Sequence, residues 1–316
     1  MKAALLKKEG SFPFYTDISD PLPKNDDQLL VNVRASSIKQ LDLQKAAGTH
    51  YTHFTSFPIV VGMDGVAVTE EGQRIYAMGI TGMMAEKAII QKDKWITVPD
   101  GLDDATAAAL PNALVGSDIP MRIKGNIKSG DVVLINGATG GTGMIAVQMA
   151  KFHKAGTIIA TGRNPEALDK LKRLGADVII SLNQPYHAII EAFKRTYMAT
   201  PFGIVVDYLW GKSMELFLQA LSEIPSQIQT KIIAVGEMGR KSITLASDSL
   251  RSRDIIILGS GIGSFSPRVI AEYLQNVLPE VFDYATHGGI EMDNELTPLK
   301  DIAGAWKLNR SIVIKI

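Results

Sequence analysis

The chain has 316 residues, of which 46% are hydrophobic and 21% charged, enough for one large or two medium domains and too apolar for disorder. Its 33 basic and 33 acidic side chains cancel, so its charge offers no case for nucleic acid or an anionic membrane as partner. There is no cysteine, which excludes disulfides, cysteine nucleophiles and cysteine-ligated zinc or iron–sulfur sites.

Met1 to Leu6 reads as a first strand, and Lys7-Lys8-Glu9 cuts its apolar run too short for a signal peptide. No apolar run approaches a membrane span, so the expectation is a soluble cytoplasmic protein. Ser11 to Asp27 is rich in proline and acids and reads as loop. Gln28 to Ala35 alternates and is β-branched, a strand, and Ser36 to Asp42 turns towards a short helix. Gly48 to Phe57 holds His50, Tyr51, His53, Phe54 and Phe57 and reads as a loop near a pocket. Phe57 to Val68 is strand, tight turn, strand, and Gly72 to Met78 and Ala85 to Gln91 are further strands. Up to Pro99 the pattern is all-β.

Asp103-Asp104 open an alanine-rich helix that Pro111 is expected to stop at Leu110, with another helix over Leu114 to Ile123. From Asp131 strands and helices alternate. Strands are predicted at Val132–Ile135, Thr157–Ala160, Val178–Ile180, Ile204–Asp207, Lys231–Val235 and Ile255–Leu258. Six strands separated by helices describe a doubly wound parallel sheet of the α/β class. Beyond Gly263 come a helix from Pro267 to about Val281, a short strand near Gly289 to Met292, a helix near Leu299 to Trp306 and a last strand, Ser311 to Ile316.

Chemistry concentrates in the first strand–helix–strand of that sheet. Gly137-Ala-Thr-Gly140-Gly141-Thr-Gly143 separates a buried-strand pattern from a helix, Met144 to His153. Strand, glycine turn and helix aim backbone N–H groups and a positive helix end at a phosphate. Glycine lets a pyrophosphate approach the backbone where a Cβ would hold it off. By motif alone the bland alternative is a glycine-rich surface turn, but a second strand and a helix from Pro165 with Asn164 as N-cap complete a βαβ start. An NAD site places a carboxylate at the end of the second strand to bind the ribose 2′-hydroxyl. No carboxylate occurs from Met144 to Pro165, and Arg163 stands at that place with Asn164 beside it. A guanidinium matches a 2′-phosphate, so the cofactor read here is NADPH, the alternative for Arg163 being a solvated surface side chain.

Several segments together resemble the medium-chain dehydrogenase/reductase superfamily, near its zinc-free quinone oxidoreductases of the zeta-crystallin kind. Ile38-x3-Asp42, Phe57-Pro58-Ile59-x2-Gly62-x-Asp64-Gly65-Val66, Gly82-x2-Ala85-Glu86, the Gly137–Gly143 turn and Leu174-Gly175-Ala176-Asp177 match family elements in order and spacing. The resemblance implies a GroES-like β-rich domain, residues 1–115 and 264–316, interrupted by a Rossmann NADPH-binding domain, residues 116–263, with cofactor and substrate in the cleft between them. It further implies a homodimer through the edge strand Ile255 to Leu258. Candidate cofactor contacts are Asn136, Gly137, Thr139, Gly140, Gly141, Thr142 and Gly143 around the turn. To these are added Thr161, Gly162, Arg163 and Asn164 after the second strand, and Gly236 after the fifth.

Zinc-dependent relatives carry a cysteine near Lys39 and a histidine where Met63 stands, and neither ligand type is present. His50 and His53 lack a matching third ligand, so no metal is expected. The implied reaction is hydride transfer from NADPH to a quinone or the β-carbon of an enone. Lys39 and Tyr51 are the candidate donors to the developing oxyanion. An exposed cation for Lys39 and aromatic packing for Tyr51 are the alternatives. The sequence departs from the family at Arg310-Ser311, where Gly-Lys is usual, and at Gly116, where a threonine is usual. Two other functions stay open: a catalytically weak NADPH-binding sensor or scaffold, and a zinc-free alcohol or ketone reductase.

Overall fold

A computed structural model of the chain describes residues 1–50, 54, 56–308 and 312–316. The chain forms two compact units, Met1–Asn112 with Ala271–Gly288 and Met292–Ile316, and Ala113–Ile270 with Gly289–Glu291.

The first unit is mainly antiparallel β. Its strands are β1 (Lys2–Leu6), β2 (Phe14–Asp17), β3 (Gln28–Ile38), β4 (Ile59–Val60), β5 (Asp64–Val68), β6 (Arg74–Gly79) and β7 (Lys87–Thr97), with helix α1 (Gln40–Ala46) after β3. From the far end of the chain it takes β14 (Leu296–Pro298), α10 (Ile302–Lys307) and β15 (Ile312–Lys315). One sheet runs β2-β1-β4, the other β14-β15-β3-β5-β6-β7 with β3 also pairing β7. The apolar alternation of β3 puts Val31 and Val33 inside, against Ala67, Ile75 and Ile90. A second cluster joins Leu6, Ile38 and Val61 to Ile302, Trp306 and Ile314, so residues from both ends of the sequence share one core.

The second unit is a parallel sheet with helices between its strands. The elements alternate as β8 (Val132–Asn136), α3 (Gly141–Phe152), β9 (Thr157–Gly162), α4 (Pro165–Leu174), β10 (Val178–Ser181) and α5 (Tyr186–Ala199). They continue as β11 (Ile204–Asp207), α6 (Gly211–Ser222), β12 (Thr230–Ala234), α7 (Ser247–Arg251) and β13 (Ile255–Gly259). The order β10-β9-β8-β11-β12-β13 with every pairing parallel is the doubly wound Rossmann arrangement. The chain therefore has an α/β fold, a Rossmann-like sheet plus a separate antiparallel β unit. The central strands β8 and β11 carry no polar side chain until their last residue, because both faces are covered. One cluster of that cover is aromatic: Phe193, Tyr197, Phe202 and Phe217 meet mostly edge to face, with Tyr197 and Phe202 centroids 5.1 Å apart. Arg253 donates to the carbonyls of Leu221, Ile224 and Pro225 where α6 ends, so its buried guanidinium is satisfied by the backbone.

Four local expectations are corrected. Phe14–Asp17, expected as loop, is an edge strand registered on β1 with Leu5 opposite Phe14. Pro111 does not end its helix, since α2 runs Asp104–Ile119 and continues as a π-helical turn over Pro120–Gly125. A proline inside a helix costs about 3 kcal/mol. Burial of Ala107, Leu110, Leu114 and Ile119 outweighs it, and Ser37 Oγ donates to the Ala108 carbonyl at 3.0 Å one turn before the proline. The long helix after Pro267 is two, α8 (Pro267–Asn276) and α9 (Leu278–Thr286), because Pro279 has no N–H to continue the ladder and begins the second helix instead. The strand expected near Gly289 to Met292 is irregular chain, and the short strand lies at Leu296–Pro298, where it pairs in parallel with β15.

Candidate cofactor and active site

At the C-terminal end of β8 the chain turns through Gly137 to Gly140 into α3. The glycines of this turn serve two purposes. Gly137 has φ +87°, and a Cβ there would lie 2.7 Å from Leu209 Cγ. A Cβ on Gly143 would lie 2.7 Å from Ala138 Cα and 2.8 Å from the Gly137 oxygen, so α3 packs directly on the turn's backbone. These two are required by the protein itself. Gly140 and Gly141 are different, since a Cβ on either meets nothing within 4 Å. Gly140 is the N-cap of α3 and no side chain caps it, while the first N–H groups of a helix lack partners within it. A bare helix start beside open glycines fits the pyrophosphate of a dinucleotide.

Behind the turn lies a buried hydrogen-bond network. Gly137 N–H donates to Thr161 Oγ1 at 3.0 Å, and that hydroxyl donates to Asn136 Oδ1 at 2.7 Å. Ser213 Oγ donates to the same Asn136 oxygen at 2.9 Å, and Asn136 Nδ2 donates to Asp207 Oδ1 at 2.8 Å. Asp207 also accepts the N–H groups of Leu209 and Trp210, each at 3.0 Å. The network ties the ends of β8, β9 and β11 to the start of α6. Burial pushes the Asp207 carboxyl up to about 6, against the pull of the N–H donors from Leu209, Asn136 and Trp210. Asn136 and Thr161 therefore sit behind the turn and shape it. Thr139 packs on Gly162, and Thr142 fills the space that a Cβ on Gly116 would enter. Tyr208 donates its hydroxyl to the Gly116 carbonyl at 2.7 Å, and a Cβ on Gly236 would lie 2.6 Å from the Tyr208 oxygen, so the loops after β11 and β12 touch there.

Arg163 follows β9 and is exposed, and Asn164 spends its side chain capping α4 by accepting from Ala167 N–H at 3.1 Å. The cap contributes about 1 kcal/mol. Arg163 lines a cavity of about 340 Å³. Leu182, Tyr186, Leu209 and Trp210 supply its apolar walls, and Lys212, Met238 and Arg240 complete it. It lies just past the C-terminal ends of β9, β10, β11 and β12, where open α/β sheets hold ligands. Trp210 has φ +53° with ψ −157°, a backbone region that side-chain-bearing residues avoid, and Asp207 holds it there.

In the other unit, Lys39 is buried at the N-cap of α1. Its ammonium donates to Asp64 Oδ1 at 2.5 Å and to the Ser37 carbonyl at 3.2 Å. Burial pulls this ammonium down, but the charges of Asp64 and Asp42 outweigh it and hold it above the ordinary lysine value. Asp42 is pushed up to about 6 by burial, with Lys39 opposing and Asp64 adding to the rise. Tyr76, hydrogen-bonded to Asp64, is raised well above the ordinary tyrosine value, first by burial and then by the Asp64 charge. Tyr51, His53 and Arg310-Ser311 lie outside the described residues, and His50 is partly buried. Among the described residues no three His, Asp or Glu side chains gather where they could hold a metal ion.

Sequence reasoning missed Asp207, Ser213, Trp210, Lys212 and Arg240. The one available signal was Asp207, a carboxylate closing the apolar run Ile204-Val205-Val206 at the functional end of a parallel strand. The others become neighbours only when α6 and the loop after β12 fold over the sheet.

The zinc-binding dehydrogenase family matches residues 141–279. The chain is 27% identical to the probable NADPH-dependent quinone reductase tdiC of Emericella nidulans, across 97% of this chain and 96% of that protein. It is 24% identical to the quinone oxidoreductase of Sus scrofa, across 78% of this chain and 73% of that one. Its fold matches the quinone oxidoreductase of Thermus thermophilus, solved also in complex with NADPH, with a TM-score of 0.74, 21% identity and full coverage of both chains. With its Rossmann sheet and separate antiparallel unit, the chain is similar in sequence and fold to the quinone oxidoreductases of the medium-chain dehydrogenase/reductase superfamily.

Proposed function

We propose that the protein is an NADPH-dependent oxidoreductase that reduces a quinone or an α,β-unsaturated carbonyl without zinc, acting as a cytoplasmic homodimer. The observation that carries this reading is Arg163, a cation at the end of β9 with no carboxylate from Met144 to Pro165, on the wall of the cavity beside the glycine turn. The name of the Emericella nidulans relative, a probable NADPH-dependent quinone reductase, supports the cofactor and a quinone as acceptor.

NADPH supplies the hydride. The chain's own part is to place it. Gly140 and Gly141 admit the pyrophosphate to the start of α3, and Arg163 meets the 2′-phosphate. The Asn136–Thr161–Asp207 network keeps the turn in one conformation, so little ordering remains to be done on binding. Zinc, which the family's description names, does not fit the residues around Lys39. A protonated amine has no lone pair for a metal, and Asp64 is already engaged by it. A quinone or enone needs only a hydride and a proton at the developing oxyanion, which solvent or a nearby side chain provides. Tyr51 is proposed as that donor, and Lys39 as the cation that holds Asp64 in place.

Fluorescence titration with NADPH and NADH, on the wild type and Arg163→Ala, followed by 1,4-benzoquinone, tests the reading. The expected outcome is tighter NADPH binding in the wild type, loss of that preference in the variant, and NADPH oxidation on adding quinone. Equal binding of the two cofactors by the wild type overturns the cofactor assignment. Tight binding with no oxidation by quinones or enones overturns the reaction.

A further inference from the structure

The cavity that Arg163 lines carries two more cations, Lys212 on the first turn of α6 and Arg240 on the loop after β12. Neither belongs to the βαβ start that announces a dinucleotide, and neither stands near Arg163 in sequence. Lys212 Nζ lies 3.3 Å from Glu215 Oε2 and 5.2 Å from the Tyr186 ring centroid, and Arg240 acts on the same Glu215. Glu215 also accepts the Thr244 N–H at 3.0 Å, which ties the loop after β12 to α6. Three cations line the cavity, and Glu215 is the carboxylate paired beside them, leaving about two positive charges. That matches a phosphomonoester dianion, which carries about −1.5 to −2 at neutral pH.

The remaining walls suit what is attached to such a phosphate. Met238 is 82% exposed and Tyr186 59% exposed, although both line the cavity. Trp210 is held at a positive φ on the same wall, and Gly211, with φ +58°, lets the Arg240 backbone lie against the start of α6. A Cβ on Gly211 would lie 2.9 Å from Arg240 N. Flat and apolar surfaces beside clustered cations describe a pocket for an aromatic base with a phosphate on its sugar.

We infer that Lys212 and Arg240 are specificity-determining residues, closing on the 2′-phosphate together with Arg163 from the same cavity, so that discrimination between NADPH and NADH is shared among three cations. The inference rests on the cofactor reading above and goes beyond it in assigning the two residues from α6 and the loop after β12. Arg163 alone offers one planar fork. Cations from three separate elements surround the phosphate oxygens, and a 2′-hydroxyl gives them nothing to neutralise.

The test is calorimetric titration with NADPH, NADH and adenosine 2′,5′-bisphosphate, on the wild type, Lys212→Ala, Arg240→Ala and the conservative Lys212→Arg and Arg240→Lys. Both positions are exposed, so the fold tolerates the changes, and circular dichroism confirms it. Each alanine variant is expected to weaken NADPH and the bisphosphate by about tenfold and to leave NADH unchanged, with the conservative variants recovering most of the loss. The bisphosphate lacks the nicotinamide half, so its loss of affinity locates the effect at the adenosine end. Unchanged NADPH affinity in both alanine variants overturns the inference while leaving the cofactor reading intact. Equal weakening of NADPH and NADH overturns it too, because the residues would then serve the shared part of the cofactor. A wild type that binds neither cofactor overturns the cofactor reading itself, and the inference with it.

Discussion

Lys39 and Asp64 form a buried ion pair 25 positions apart in sequence, with side chains 4% and 8% exposed. Charges taken out of water stay ionised only while they satisfy one another, and Asp42 close by adds a third charged group. Lys39→Met should therefore destabilise the protein by about 3–5 kcal/mol, because it removes the ammonium paired with the buried Asp64 carboxylate. The double variant Lys39→Met with Asp64→Leu should recover most of that loss. Urea unfolding of both variants measures it, and a loss under about 1 kcal/mol in the single variant shows that the ion pair does not hold this site together. Turnover in the double variant separates structure from chemistry, since full activity removes Lys39 from the mechanism. The sequence made Lys39 visible as an odd residue at an interesting place, but Asp64 and Tyr76 are joined to it only by the pairing of β3, β5 and β6.

At the scale of the element, the strand–turn–helix around Gly137 to Gly143 was legible because each glycine is demanded locally, by a positive φ, a close backbone approach or an open face. The run of α2 through Pro111 was not, since what carries it is burial against distant segments. The two classes of glycine make opposite predictions. Gly143→Ala forces a Cβ to within 2.8 Å of turn backbone and should cost about 1–3 kcal/mol of stability, with cofactor affinity lost alongside. Gly141→Ala places its Cβ in open space on the first turn of α3, where alanine is the better helix former by about 1 kcal/mol. It should leave thermal stability equal or higher while weakening NADPH. Thermal melts without cofactor, paired with NADPH titrations, check both. A Gly141→Ala variant with unchanged NADPH affinity would mean that the open face admits no phosphate.

Across the whole molecule, the alternation of β-branched strands with helices made the parallel sheet readable, whereas its order comes from handed crossovers that no single segment encodes. That order leaves β13 at one edge, with no strand on its outer side among the described residues. Thr230 N–H donates to the Asp254 carbonyl and Ser260 N–H to the Ala234 carbonyl, so even-numbered positions of this strand face β12. Ile257 and Gly259 therefore turn their N–H and C=O groups outward, whereas the Ile255 N–H is taken by the Arg253 carbonyl at 3.1 Å. An unpaired edge of this kind is a template for another strand, and in the proposed homodimer two copies pair antiparallel about Ile257, each matching residue 255 with the partner's residue 259. Gly259→Pro removes an outward N–H without touching the β12 ladder, and its side-chain position has nothing within 4 Å. Light scattering should find a dimer for the wild type and a shift towards monomer for Gly259→Pro, with NADPH affinity unchanged because the cofactor residues lie at the ends of other strands. A monomeric wild type refutes the dimer. A variant that stays fully dimeric moves the interface away from β13 and leaves that edge to be protected by some other means.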